Sequence, residues 1–259
     1  MLPTASRASR LGEQIGYLSR YARILSGNRI FAADCVANLL TEVQDVKAGM
    51  QVRQLYRLFT DRYNRVQLFY RKSAADDPND ATAYLASPSR QAMLLVGLEQ
   101  FSQQDAAYIL DVDVPQLDDL IARGSREIAD EAPADVLILH DEPITAMMWE
   151  DELRALGHRV LGIGRTRGDA LALADKARPE LIIARARYLA DGARGTDVVE
   201  ELMAARPAGV IFLSGTPDIY LDDKCPERGV VVGLDAYMAA CGLAALVSQT
   251  LFFKRGPAP

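Results

Sequence analysis

The chain has no surplus of positive charge. Of its 259 residues 29 are Lys or Arg and 35 are Asp or Glu, a formal net charge of −6. Met1–Asp130 holds 15 basic and 16 acidic residues, and Glu131–Pro259 holds 14 and 19, so neither half is basic. Capture of nucleic acid by charge alone is excluded. Cysteine is scarce: Cys35, Cys225 and Cys241 are widely spaced and odd in number. They form neither a disulfide framework nor a metal-ligand pair, and read as reduced thiols of a cytoplasmic protein. Histidine is scarcer still, with only His140 and His158, too few for a histidine-based metal site. No apolar run approaches the ~18 residues of a membrane span. The N-terminus lacks the apolar core of a signal peptide. Gly162-Ile163-Gly164 is not completed into a dinucleotide-binding GxGxxG, and no Ser or Cys nucleophile has an evident base. The expectation is a cytoplasmic, non-enzymatic protein without a membrane segment.

What is present is an ordinary globular composition, 49% apolar and 25% charged, in a chain long enough for two domains. From Leu11 to Lys72 the apolar residues recur at helical spacing. Ile15, Leu18, Tyr21, Ala22 and Leu25 make one stripe, and Phe31, Val36, Leu39, Leu40 and Val43 another, with Gly27-Asn28 as the break. A third helix carries Val52, Leu55, Tyr56, Leu58, Phe59, Tyr63, Val66 and Phe69. Its Arg53, Arg57, Arg62 and Arg65 read as a solvated face. The polar, acidic stretch Ser73–Ala86 reads as a linker.

Beyond it, Ser87 is placed to cap a strongly apolar helix through Gln91–Leu98. Ser102 caps a short helix through Gln104–Leu110, Asp111–Asp113 turns the chain, and Pro115 opens a helix running to about Ile128. This is a helix-turn-helix arrangement. Its charges oppose DNA binding: between Gln104 and Ala122 the charged residues are Asp105, Asp111, Asp113, Asp118 and Asp119, with no Lys or Arg.

From Asp135 onward strands and helices alternate, which predicts a parallel sheet covered on both faces. Strands are expected near Val136–Leu139, Arg159–Ile163, Leu181–Ala184, Val210–Leu213 and Val230–Val232. Helices are expected near Ile144–Leu156, Arg167–Ala177, Gly195–Ala205, after Pro217 and near Asp235–Phe252. In such a sheet ligands bind past the carboxyl ends of the strands. His140, Asp141 and Glu142 lie past the first strand. An acid past the third would complete a carboxylate nest for a divalent cation, but the residue there is Arg185.

The runs RQAMLLVGLE (Arg90–Glu99), FSQQDAAYILDVDV (Phe101–Val114) and REIAD (Arg126–Asp130) resemble region four of the extracytoplasmic-function sigma factors. The version they resemble most is the non-DNA-binding one of the PhyR family of stress-response regulators. GYLSRYARILSGN (Gly16–Asn28) is similar to the start of that family's region-two-like half. ELRALGHRVLGIGRTRGDALALADKARPELIIA and the terminal SQTLFF (Ser248–Phe253) resemble its receiver. The resemblance implies an all-α sigma-like domain, 1–130, followed by a flavodoxin-like, doubly wound, five-stranded receiver, 134–254. The sigma-like domain divides into region-two-like 10–72, linker 73–86 and region-four-like 87–130.

The same resemblance assigns the receiver positions. Asp141 and Glu142 match the acidic pair, and Ser214 the hydroxyl. Arg185 stands where the phosphoacceptor aspartate belongs, and Leu234 where the lysine belongs. Arginine cannot form an acyl phosphate, and its charge competes with a cation, so the receiver is expected to be degenerate and to bind no Mg²⁺ or other cofactor. The implied function is that of an anti-anti-sigma regulator. It would mimic a sigma factor and sequester an anti-sigma factor of the NepR type, independently of aspartate phosphorylation, with contact between its own receiver and sigma-like domain. Candidate contact residues are Leu18, Tyr21, Leu25, Leu94, Leu98 and Leu117. The alternatives are a DNA-binding sigma-like regulator, a regulator phosphorylated elsewhere, as at Asp191, or an autoinhibited decoy.

Overall fold

The computed structural model describes residues 7–27, 29–42, 50–73, 86–214, 230–233 and 240–255. Its contacts divide the chain into two compact units: Met1–Ser125 with Cys241–Ala245, and Arg126–Ala240 with Leu246–Ala258. The division between the units falls after Ser125, and Cys241–Ala245 group with the first unit. No helix among the described residues is long and apolar enough to cross a membrane.

The first unit is helical. α1 (Arg7–Ser26), α2 (Arg29–Glu42) and α3 (Val52–Ser73) form one group, and α4 (Pro88–Gly97), α5 (Gln103–Leu110) and α6 (Val114–Ala129) begin the next. α3 runs through Ser73, the first residue of the expected linker; residues 74–85 of that linker lie outside the described residues. The caps act as the sequence indicated. Ser87 accepts from the Arg90 amide with Pro88 in the first turn, and Ser102 accepts from the Asp105 amide. Asp111 closes α5 in the left-handed region at φ 56°, a conformation that Asp tolerates better than most residues.

The core of this unit is aromatic. Tyr21, Tyr56, Phe59 and Tyr63 are fully buried, and Tyr21 lies 5.4 Å from Tyr56 and 6.0 Å from Phe59, ring centre to ring centre. Phe101 meets Tyr56 edge-on at 4.8 Å. Each such side chain contributes roughly 1.5–3 kcal/mol by leaving water.

The second unit is a five-stranded parallel sheet. Its strands are β1 (Asp135–Leu139), β2 (Arg159–Gly164), β3 (Leu181–Arg185), β4 (Gly209–Ser214) and β5 (Val230–Gly233), in the order β2-β1-β3-β4-β5. β1, β3 and β4 are buried almost end to end, as strands covered on both faces must be. Leu137, Leu139, Ile182, Ala184, Val210 and Phe212 share one core cluster with Val198, Val199 and Leu202 of α9 (Gly195–Ala205) and Ala170 of α8 (Arg167–Lys176). Their neighbours in sequence project to the opposite face. α7 (Pro143–Ala155) and α10 (Ala240–Arg255) complete the described helices; the helix expected after Pro217 and residues 235–239 lie outside the described residues.

The chain winds from β1 outward to β2, then returns across β1 to β3 and outward to β4 and β5. The direction reverses between β1 and β3. Their carboxyl ends diverge there, leaving the crevice at which doubly wound proteins place their chemistry.

Candidate functional site

Both strands deliver polar side chains into this crevice. β1 ends at Leu139 and is followed by His140, Asp141 and Glu142; β3 ends at Arg185. The register Leu139↔Ala184 puts the two ends side by side. The Arg185 guanidinium forms an ion pair through Nη1 with Asp141 Oδ1, each side chain being 29% exposed. Arg165, in the turn after β2, donates from Nε to the Asp141 carbonyl at 3.3 Å. Asp141 is thus bound by cations at both its side chain and its backbone.

His140 is buried beneath this pair. Its Nδ1 accepts the Glu142 amide at 3.1 Å and lies 3.7 Å from Asp141 Oδ1. Burial draws its pKa below the ordinary imidazole value; the Asp141 charge works against that shift and Arg185 adds to it. Because Nδ1 accepts an amide, the neutral ring carries its proton on Nε2, an atom that is buried with no hydrogen-bond partner among the described residues. Glu142 is exposed at the start of α7, where the helix dipole favours an acid, and accepts from Thr145 Oγ1 at 2.8 Å. Ser214 is buried at the end of β4, one register step beyond the Arg185↔Leu213 pair. Leu234 lies outside the described residues.

The donor set does not fit a divalent cation. One carboxylate of the acidic pair is committed to Arg185, the other accepts from the Thr145 hydroxyl in solvent, and no third joins them among the described residues. Among the described residues no cluster of three or more His, Cys, Asp or Glu could hold a metal ion. Asp191, the alternative acceptor, is engaged elsewhere: its carboxylate accepts the amides of Arg167 at 2.8 Å and Ala193 at 3.1 Å. Those bonds hold its pKa below the usual carboxylate value.

Comparison with known proteins agrees with this architecture. The family model "Response regulator PhyR, sigma-like domain" matches residues 83–131. The phyllosphere-induced regulator PhyR of Methylorubrum extorquens is 34% identical over 96% of this chain and 96% of its own. The chain belongs to the PhyR family of response regulators. The crystal structure of PhyR from Brucella abortus matches with a TM-score of 0.80 at 32% identity, covering 97% of this chain and 96% of that one. PhyR from Bartonella quintana, described as an anti-anti-sigma factor, matches with a TM-score of 0.81 at 29% identity, covering 96% and 97%.

Within this PhyR-family fold the six contact residues proposed from sequence require correction. Leu18, Tyr21, Leu25, Leu94 and Leu117 are completely buried, and Leu98 is 2% exposed. They are core. A stripe of apolar residues on a helix is the same signal whether a neighbouring helix or a separate protein covers it. The arginines of α3 also need correction. Arg53 pairs with Asp105, Arg57 with Asp111 and Arg62 with Glu42, so three of the four join helices instead of facing only solvent.

Sequence reasoning missed the most buried charge pair as well. Arg20 of α1 donates to Glu99 Oε1 from Nη2 at 2.8 Å and from Nε at 3.2 Å, while Tyr56 Oη donates to Glu99 Oε2 at 2.8 Å. The Arg20 and Glu99 side chains are 7% and 3% exposed. Burial alone would lower the Arg20 pKa, but the charge and hydrogen bonds of Glu99 raise it above its ordinary value. The signal available beforehand was a charged residue, Arg20, between Leu18 and Tyr21 on an otherwise apolar stripe.

Proposed function

We propose that this protein is an anti-anti-sigma regulator whose helical unit stands in for a sigma factor and captures an anti-sigma factor of the NepR type, without phosphorylation of its receiver. The observation that carries the second half of this reading is the Arg185–Asp141 ion pair at the β1/β3 crevice of a PhyR-family chain. A phosphoryl group needs an aspartate, a cation and room. Here a guanidinium supplies a fixed positive charge and neutralises the acid that would have held the cation. The first half is supported by the family and by the Bartonella quintana PhyR, which is described as an anti-anti-sigma factor and has also been crystallised with the anti-sigma factor NepR.

Protein capture also suits the surface. Asp118 and Asp119 are exposed on α6, Asp113 is exposed just before it, and Asp111 is exposed in the turn. Such a face repels a duplex. The protein would act in the cytoplasm, where the sigma factor it spares meets RNA polymerase, and would catalyse nothing.

The test is titration calorimetry of the full chain against the cognate NepR-type protein, before and after acetyl-phosphate treatment, with intact mass measured on both samples. Binding in both samples with no added phosphoryl mass is expected. An added phosphoryl group, or binding only after treatment, overturns phosphate independence. Absence of binding in both overturns the partner.

A further inference from the structure

α7 turns one apolar face outward. Its buried residues are Ala146 and Leu153, while Ile144, Met147 and Met148 are 69%, 58% and 52% exposed. Positions 144, 147 and 148 are the i, i+3, i+4 set of a single helix face, and the exposed Asp151 and Ala155 continue it. Leucine and methionine have nearly the same helix propensity, so the backbone of α7 does not require sulfur at these positions. Three side chains also cover far less than the ~1,000 Å² that a stable protein interface needs. What the pair adds to the surface is two accessible thioethers.

The other sulfurs of the described residues are shielded. Met93 is fully buried, and Met50 and Met203 are partly buried. Met203 Sδ already accepts the Ala208 amide at 3.2 Å. The thiols compete poorly. Cys35 is buried and Cys241 half-buried, and burial pushes the pKa of both upward, which keeps each in the weakly nucleophilic protonated form.

We propose that Met147 and Met148 form an oxidation site on α7, each taking one oxygen atom from a peroxide and holding it as a sulfoxide. The thioether sulfur attacks one peroxide oxygen, the O–O bond breaks and an S–O bond forms. Sulfur gives up two electrons and the peroxide accepts them. The hydroxide released takes the proton of the transferred oxygen and leaves as water. The exposed face of α7 thereby changes from apolar to polar without any group entering the core, and methionine sulfoxide reductases reverse the change. The site lies in the first two turns of α7, which begins directly after Glu142. It stands independently of the anti-anti-sigma reading.

The experiment treats the full chain, as the parent and as Met147→Leu/Met148→Leu, with dilute hydrogen peroxide at mildly acidic pH, with free methionine in the same mixture as a reference. Peptide mapping by mass follows the oxygen over time. Met147 and Met148 are expected to gain one oxygen each, about tenfold faster than Met93 and Met203, because susceptibility follows exposure. Retention on a hydrophobic-interaction column should fall for the oxidised parent and hold for the treated variant, while far-ultraviolet dichroism stays constant in both. Conversion of free methionine with both residues left intact overturns the site. Oxygen arriving first on Met93, Met203, Cys35 or Cys241 also overturns it. Loss of helical signal in step with oxidation of the pair overturns the assignment to a free face, because it means that the modified side chains were holding the fold.

Discussion

Replacing Glu99 with Gln should unfold the helical unit more readily than any change at the protein surface. The side chain keeps its shape and loses its charge. Arg20 then remains 7% exposed with no counter-ion. Removing one member of a buried pair costs about 3–5 kcal/mol. Gln can still accept one bond from Arg20, and Tyr56 can reorient its hydroxyl, so the lower end, about 3 kcal/mol, is expected. With a urea m-value of about 2 kcal/mol/M, that moves the midpoint by about 1.5 M. Far-ultraviolet dichroism follows the helices, while Trp149, the only tryptophan and a residue of α7, reports the α/β unit by fluorescence. The triple change Arg20→Met/Tyr56→Phe/Glu99→Leu removes every polar group of the network together and should return the midpoint to within about 1 kcal/mol of the parent. A Glu99→Gln loss below about 1 kcal/mol, or a triple variant as unstable as the single one, would refute the view that an uncompensated charge is what destabilises.

Arg185→Asp places a third carboxylate beside Asp141 and Glu142, so millimolar Mg²⁺ should raise the melting temperature of the variant and leave the parent unmoved. At a hundredfold excess over Kd the gain is about 2.7 kcal/mol, and no Mg²⁺-dependent shift would count against the site assignment. Burial makes His140 harder to protonate when folded than when unfolded, where it takes a proton near pH 6.5. Because the unfolded chain binds more protons, stability monitored by Trp149 should fall as pH drops below about 6.5 toward the lowered folded value, and His140→Asn should flatten that slope. Thr166→Ala removes the reciprocal cap that Thr166 and Asp169 form at the start of α8, and should cost about 1 kcal/mol by urea unfolding of the α/β unit.

The class of fold and the positions of most helices and strands were legible in the sequence. Each rests on a local signal. Serines at 87 and 102 cap because their hydroxyls reach amides within three residues. Val136–Leu139 and Leu181–Ala184 are strands because only burial on both faces tolerates such runs. Arg185 could be placed by counting from the end of a strand. What only the tertiary structure decided was pairing across the chain. Arg20 and Glu99 are 79 positions apart, and Arg57 and Asp111 are 54 apart. A charge in a sequence carries no mark of its partner, so three arginines read as a solvated face proved to pair with acids of other segments. An apolar stripe likewise records that something covers it and not what does, so residues read as a contact surface proved to be core. Periodicity and caps act over one turn of chain, whereas burial and ion pairing depend on which distant segments the fold brings together.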